Sequence, residues 1–160
     1  MQPFRIGFGV DLHRLEPGEN LVLGGIKIPG KFSAVGHSDA DTLLHAITDA
    51  ILGAANLRDI GFHFSDKDPQ YKGIDSKILL KKSVQLVHKK GYKIGNIDAT
   101  VILEEPKVNP HVETMQEIIS KLLQVTKDDV SIKATTNEKL GYLGNGDGVR
   151  AYATALIFKD

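Results

Sequence analysis

Apolar and polar residues alternate from Phe4 to Leu15, the period-two pattern of a half-buried strand. A second apolar run, Leu21 to Ile28, holds Gly24-Gly25 at its centre and closes at Pro29-Gly30, which predicts a short hairpin. From Ser38 the spacing changes, and Leu43, Leu44, Ile47, Ile51 and Leu52 recur at helical intervals until about Ala55-Asn56. Ser38 with Asp41 three residues on reads as a capping box at the start of that helix. Arg58 to Gly73 is polar and without a sustained period, and is expected as a long loop.

Periodicity returns over about Asp75 to Lys90 and stops at Gly91, a helix C-terminal signal. A buried strand is expected over Ile94 to Leu103, broken near Gly95-Asn96, followed by a helix from Asn109-Pro110 to about Gln124. Val130 to Thr136 and Val149 to Phe158 read as strands, with Gly141, Gly144, Gly146 and Gly148 bent between them. The order is that of a single α+β domain over residues 1–160, a mixed β-sheet with helices packed on one face. Val149, Ala151, Ala153, Ala155 and Ile157 form one stripe of the last strand, and Tyr152, Leu156 and Phe158 lie on the other. Both stripes are apolar, so the face turned away from the helices is expected to pack against another subunit.

Charge changes the picture by exclusion. Lys and Arg number 20 and Asp and Glu 20, so no basic excess supports a general grip on nucleic acid or an anionic membrane. An anionic ligand would have to be held by metals, helix ends or loop amides. The absence of cysteine removes disulfides, thiolate zinc sites and cysteine nucleophiles together. No apolar secretory core follows Met1 and no run approaches a bilayer span, which gives the expectation of a soluble, cytoplasmic protein.

Asp11 and His13 are one residue apart in a predicted strand, so their side chains share a face. His45 falls on the first predicted helix, one turn beyond Asp41. An aspartate with two imidazoles is a donor set that zinc accepts, leaving its fourth position open; ordinary hydrogen-bonded histidines would give the same spacing. His37-Ser38, ahead of the helix, reads either as a phosphate seat at free amides or as a plain serine cap. Phe64 to Asp68 is an acidic turn that suits solvent as well as it suits a site. Thr135-Thr136-Asn137-Glu138 follows a strand, and Glu138 offers a hard oxygen fit for Mg or Mn. His63 and His111 read as loop and helix-start residues. Gly144 to Gly148 lacks the pattern of a P-loop.

Taken together, Gly7-Phe8-Gly9-Val10-Asp11-Leu12-His13, His37-Ser38-Asp39-Ala40-Asp41, His45, Asp59-Ile60-Gly61, Phe64 to Asp68 and Lys133 to Gly141 resemble the 2-C-methyl-D-erythritol 2,4-cyclodiphosphate synthases. The likeness keeps order and spacing over nearly the whole chain. It implies a homotrimer of the non-mevalonate isoprenoid route, acting on 4-diphosphocytidyl-2-C-methyl-D-erythritol 2-phosphate. The substrate's own 2-phosphate attacks the β-phosphorus, giving the cyclic diphosphate and CMP, so the enzyme supplies position and charge neutralisation rather than a nucleophile. A zinc phosphohydrolase would use the same ligands but release free phosphate, and a non-enzymatic nucleotide-binding trimer with a structural metal would show a closed metal site and no turnover.

By the same resemblance Asp11, His13 and His45 hold zinc, Glu138 helps hold Mg or Mn, and His37 and Thr136 stabilise the charge of transfer. Asp11, His13 and Ser38 also face substrate, as do Asp59, Ile60, Gly61, Phe64, Ser65, Asp66, Lys67 and Asp68 around the erythritol. Leu103, Glu104, Glu105, Pro106, Lys107, Val108 and Asn109, with Ala134 and Thr135, match a cytidine pocket that the neighbouring subunit supplies. Asn137, Tyr142 and Asn145 complete the contacts. Departures are Asn145 where many members carry an Arg facing phosphate and the central channel, Asn137 for a Thr, Ser65 for a Pro, and Ala40 for a Gly. Ala40 reads as suited to a helix's first turn. The cellular setting implied is a bacterial cytoplasm, with a plastid stroma also compatible.

Overall fold

The first alternating segment folds as a long strand, β1 (Phe4–Pro17), in the computed structural model, which describes residues 3–159. The hairpin follows as β2 (Asn20–Leu23) and β3 (Ile26–Pro29), then a short edge strand, β4 (Phe32–Ala34), that the sequence pattern did not announce. Gly24 and Gly25 turn the hairpin at φ of 61° and 83°, conformations that suit glycine. The helices are α1 (Thr42–Ala54), α2 (Ile60–His63), α3 (Ser76–Lys89), α4 (Val112–Leu123) and α5 (Gly141–Gly144). The remaining strands are β5 (Lys93–Ile102), β6 (Val130–Thr135) and β7 (Gly148–Phe158). The main sheet runs β4-β1-β7-β5-β6, parallel only at β5-β6 and bulged between Ile94 and Asn96, where glycine interrupts the pattern.

Helix α1 lies on β1 and β7, α3 packs on α1 and α4, and α4 lies beside β6. Val149, Ala151, Ala153, Ala155 and Ile157 are buried on the helix side, as the stripe of the last strand requires. The contact between α1 and β1 is at backbone distance. A Cβ on Gly9 would stand 1.9 Å from the Ala46 carbonyl oxygen, and one on Gly7 1.9 Å from that of Ala50. On the opposite face Phe4, Ile6, Phe8, Val10 and Leu12 stand in solvent, with Ile6 65% and Phe8 63% exposed, and Phe8 stacks on Tyr152.

Three expectations need correcting. Helix α1 starts at Thr42, and its cap is Asp41 rather than Ser38. The Asp41 carboxylate is fully buried; burial raises its pKa, against the pull of amide donors from Leu44 at 3.0 Å, Gly25 at 2.7 Å and Gly24 at 2.9 Å. An acceptor that can join the helix end to the hairpin turn outcompetes a serine that can satisfy only the helix. Ala40 accordingly lies outside the helix at φ of 59°, left-handed backbone, so alanine there carries strain instead of helix propensity. The stretch expected as a loop contains α2 and a 3-10 turn at Pro69–Tyr71, each opened by an aspartate, Asp59 accepting from the Phe62 amide and Asp68 from that of Gln70.

The helix-strand contact yields a direct test. Gly9→Ala should cost at least about 2 kcal/mol, because backbone on both sides must move apart. Urea denaturation of the variant measures it, and a midpoint equal to the parent's contradicts the contact.

Candidate metal centre

Strand β1 sends Asp11 and His13 toward α1, and α1 presents His45 between them. The three donor atoms, Asp11 Oδ2, His13 Nε2 and His45 Nδ1, form one cluster. Asp11 Oδ2 is 2.8 Å from His13 Nε2 and 3.1 Å from His45 Nδ1, and the two ring nitrogens are 3.2 Å apart. Donors around a tetrahedral ion with bonds of about 2.0–2.1 Å lie roughly 3.3 Å from one another, so these side chains already approximate three corners of such a site. The donor chemistry, one carboxylate oxygen and two imidazoles, fits a divalent ion of zinc's type.

The far side of each imidazole is also held. His13 Nδ1 lies 2.9 Å from the Val35 carbonyl oxygen, which can only accept, so this nitrogen carries the proton and Nε2 is free to bind. His45 Nε2 contacts Ser76 Oγ at 2.7 Å and Ser38 Oγ at 3.1 Å. Burial opposes ionisation of Asp11, but hydrogen bonds and charge from His13 and His45 outweigh it and bring its pKa down to about 2. Burial likewise opposes a charge on His13, and the hydrogen bond and charge of Asp11 reverse the effect and raise its pKa. Asp49, one turn beyond His45, has its pKa raised by burial against the pull of the Ile60 amide, at 2.7 Å, which it accepts at the start of α2.

A cavity of about 360 Å³ opens on this cluster, lined by His13, His37, Ser38, His45, Ile60, Gly61, Phe64, Asp66, Tyr71, Ile74 and Leu79. It unites residues that the sequence had placed in four separate segments. His37 reaches back through Nε2 to the Asp68 carbonyl oxygen at 3.3 Å, which ties the loop over the cavity. The seat at His37-Ser38 is not a free helix end, because Asp41 already caps α1; whatever these residues hold, they hold by side chain and loop backbone. Ser38 Oγ accepts from the Ala40 amide at 3.2 Å. Asp68 has both oxygens engaged by Gln70, at 3.0 and 2.6 Å, and the Lys67 amide is 3.2 Å from Ser65 Oγ, so the acidic turn is braced internally.

The remaining candidates gather elsewhere. Glu104, Glu105, Lys107, Thr136, Glu138 and Asn145 line a cavity of about 450 Å³, and Leu103, Lys107, Val108, Asn109, Ala134, Thr135 and Thr136 line another of about 180 Å³. Neither shares a lining residue with the cavity at Asp11. Both flank the ends of β5 and β6, two and three strand spacings from β1, and Glu138 follows β6, roughly 14 Å across the sheet within one chain, so it does not join the Asp11 cluster there. Glu104 accepts from the Asn137 amide at 2.9 Å and braces the loop that carries Glu138, whose φ is 51°. Tyr142 lies beside Arg150. His63 donates to the Leu57 carbonyl oxygen at 2.6 Å, a structural role. Sequence reasoning gave no role to Asp39, Ser76 or Asp49: Asp39 precedes α1 and Ser76 opens α3, where an acidic or hydroxyl residue signals only a cap, and Asp49 lies within α1 and reaches the start of α2 only through the fold.

The model of the YgbB family matches residues 4–158. A 2-C-methyl-D-erythritol 2,4-cyclodiphosphate synthase of Porphyromonas gingivalis is 56% identical over 156 residues, 98% of this chain and 96% of its own length. That of Cytophaga hutchinsonii is 54% identical over 155 residues, 97% of this chain and 98% of its own. Among solved structures, the bifunctional IspDF from Campylobacter jejuni matches at a TM-score of 0.94 and 35% identity over 98% of this chain, which spans 42% of that longer protein. IspF of Plasmodium falciparum, in a CDP complex, matches at 0.87 and 34% identity over 100% of this chain and 99% of its own.

The ion pair gives a pH signature in chelator-treated protein. Asp11, held near 2 against an ordinary 3.8, stabilises the fold above about pH 4 and loses that contribution as the pH falls toward 2. His13, raised from 6.5, contributes below that value and loses its share as the pH climbs through its folded pKa. In Asp11→Asn, burial of His13 loses its main opponent, and NMR titration should find the His13 pKa lower than in the parent. An unchanged value contradicts the pairing.

Proposed function

The chain belongs to the YgbB family, and on that premise we propose that it is a cyclising, CMP-releasing phosphorus-oxygen lyase of isoprenoid biosynthesis. It converts 4-diphosphocytidyl-2-C-methyl-D-erythritol 2-phosphate to 2-C-methyl-D-erythritol 2,4-cyclodiphosphate and CMP. The observation that carries this reading is the meeting of Asp11, His13 and His45 at the wall of a cavity that also holds His37, Ser38, Ile60, Gly61, Phe64 and Asp66. The erythritol phosphate lies in this cavity, with Asp59 and Asp66 accepting from its hydroxyls and the braced loop from Phe64 to Asp68 enclosing it.

Asp11, His13 and His45 hold zinc, and Glu138 takes part in holding Mg or Mn. When bound, the two ions polarise and neutralise the diphosphate. The residues contribute position: the 2-phosphate is held in line with the β-phosphorus, and no side chain forms a covalent bond to substrate. His37, Ser38 and Thr136 donate to phosphate oxygens as charge shifts onto the departing CMP. Leu103 to Asn109, with Ala134 and Thr135, hold cytosine and ribose, and Lys107 offers a cation to the phosphates between the two cavities it lines.

Because the cavity at Asp11 and the cavities at Glu138 are separate in one chain, a complete site calls for a second copy, whose β5 and β6 loops face the first copy's Asp11 cluster. The exposed apolar face of β1 supports a homotrimer with its sheets turned inward. With bacterial enzymes among its relatives, we assign it to a bacterial cytoplasm; no described helix is long and apolar enough to cross a membrane.

Incubation with the diphosphocytidyl substrate should yield CMP and the cyclic diphosphate, and chelator should stop it. Inorganic phosphate as the product would overturn the reading in favour of a hydrolase. His45→Ala should lose zinc and at least about a thousandfold in rate, roughly 4 kcal/mol of barrier, while remaining assembled in sedimentation. Glu138→Gln should raise the Mg or Mn concentration needed for half-maximal rate and leave zinc content unchanged; an identical cation titration contradicts that role.

A further inference from the structure

We infer that Asp39 and Ser76 are positioning residues that set the tautomer of His45 and so prepare its Nδ1 as a metal ligand. Ser76, the first residue of α3, is fully buried, and its hydroxyl donates to Asp39 Oδ1 at 2.5 Å while its amide donates to Asp39 Oδ2 at 3.0 Å. A hydroxyl has one proton, and Asp39 receives it. Only lone pairs of Ser76 Oγ then face His45 Nε2 at 2.7 Å, so that nitrogen must carry the imidazole's N–H. In the neutral ring this leaves Nδ1 unprotonated, 3.2 Å from His13 Nε2 and 3.1 Å from Asp11 Oδ2, an acceptor that holds a second proton there only in the imidazolium.

The two imidazoles are therefore fixed by different devices. His13 is set by a backbone carbonyl, at Val35, which no side-chain substitution removes. His45 depends on two side chains brought from the segment before α1 and from the start of α3. Ser38 Oγ, 3.1 Å from His45 Nε2, is a weaker substitute, because its hydroxyl has no carboxylate to claim its proton and can turn either way. Since a partner behind a metal-binding histidine fixes ring orientation and basicity, its loss costs about 10- to 100-fold in metal affinity. The inference rests on the zinc reading above, but its first readout does not.

In metal-free parent protein at a pH high enough for the ring to be neutral, long-range 15N NMR of the histidine rings should place the single His45 proton on Nε2; a single proton on Nδ1 overturns the inference whatever the variants do. Ser76→Ala should populate both tautomers and raise the zinc dissociation constant about 10- to 100-fold in chelator competition. Asp39→Asn, which keeps shape but frees the Ser76 proton, should do the same if Ser76→Ala fails to fold. A dissociation constant within twofold of the parent's, with the tautomer unchanged, overturns the inference and leaves the zinc assignment standing. A parent protein that takes up no zinc overturns both.

Discussion

The structure depends on how closely α1 lies against β1. Gly7 and Gly9 leave no side chain between strand and helix, and the helix carbonyls of Ala46 and Ala50 occupy the space that a Cβ would need. Gly9 stands two residues before Asp11, and Ala46 is next to His45, so the same contact sets the separation of the cluster. A strand whose side chains alternate puts Asp11 and His13 on the helix side, and the absence of bulk at Gly9 lets the helix bring His45 within 3.1 Å of Asp11. Packing in the core and geometry at the site are one constraint.

Around that contact, the polar groups are organised by a few shared acceptors. Asp41 joins the end of α1 to the hairpin turn, Asp39 joins the segment before α1 to the start of α3, and Asp49 joins α1 to α2. Each carboxylate satisfies amides that helix ends leave unpaired, and each holds an element that borders the cavity. The segment from Asp59 to Tyr71 thus forms a wall of the cavity with little apolar burial of its own. The sheet's other face contributes nothing to this core, and its exposed Ile6 and Phe8 are the largest departure from what a solitary domain would present.

Most of the main elements were legible because their signals are local. The alternation of β1, the diglycine turn, the periods of α1 and α3, and Gly91 after α3 all act within a few residues. Asp11 and His13 were legible as a pair for the same reason. His45 was legible as their partner from donor chemistry and from the resemblance, and not from local pattern, since the register that brings it to β1 is tertiary. The cap of α1 was misread because Ser38 has the right chemistry and Asp41 the better partners, and these partners lie in the hairpin, 16 and 17 residues earlier. The strain at Ala40 follows from that displaced start. Asp39 was visible within the His37–Asp41 motif, but its role and that of Ser76 were not, because their meeting across 37 residues depends on where α3 docks.

The central claim is that one carboxylate and two imidazoles bind a single ion. X-ray absorption at the zinc edge, on protein loaded with one equivalent, tests it without reference to turnover. The account predicts low-Z ligands at about 2.0–2.1 Å with the outer-shell scattering of two imidazoles, both lost in Asp11→Asn or His45→Ala. A spectrum with no imidazole scattering, or one unchanged by those substitutions, would place the ion elsewhere and contradict it.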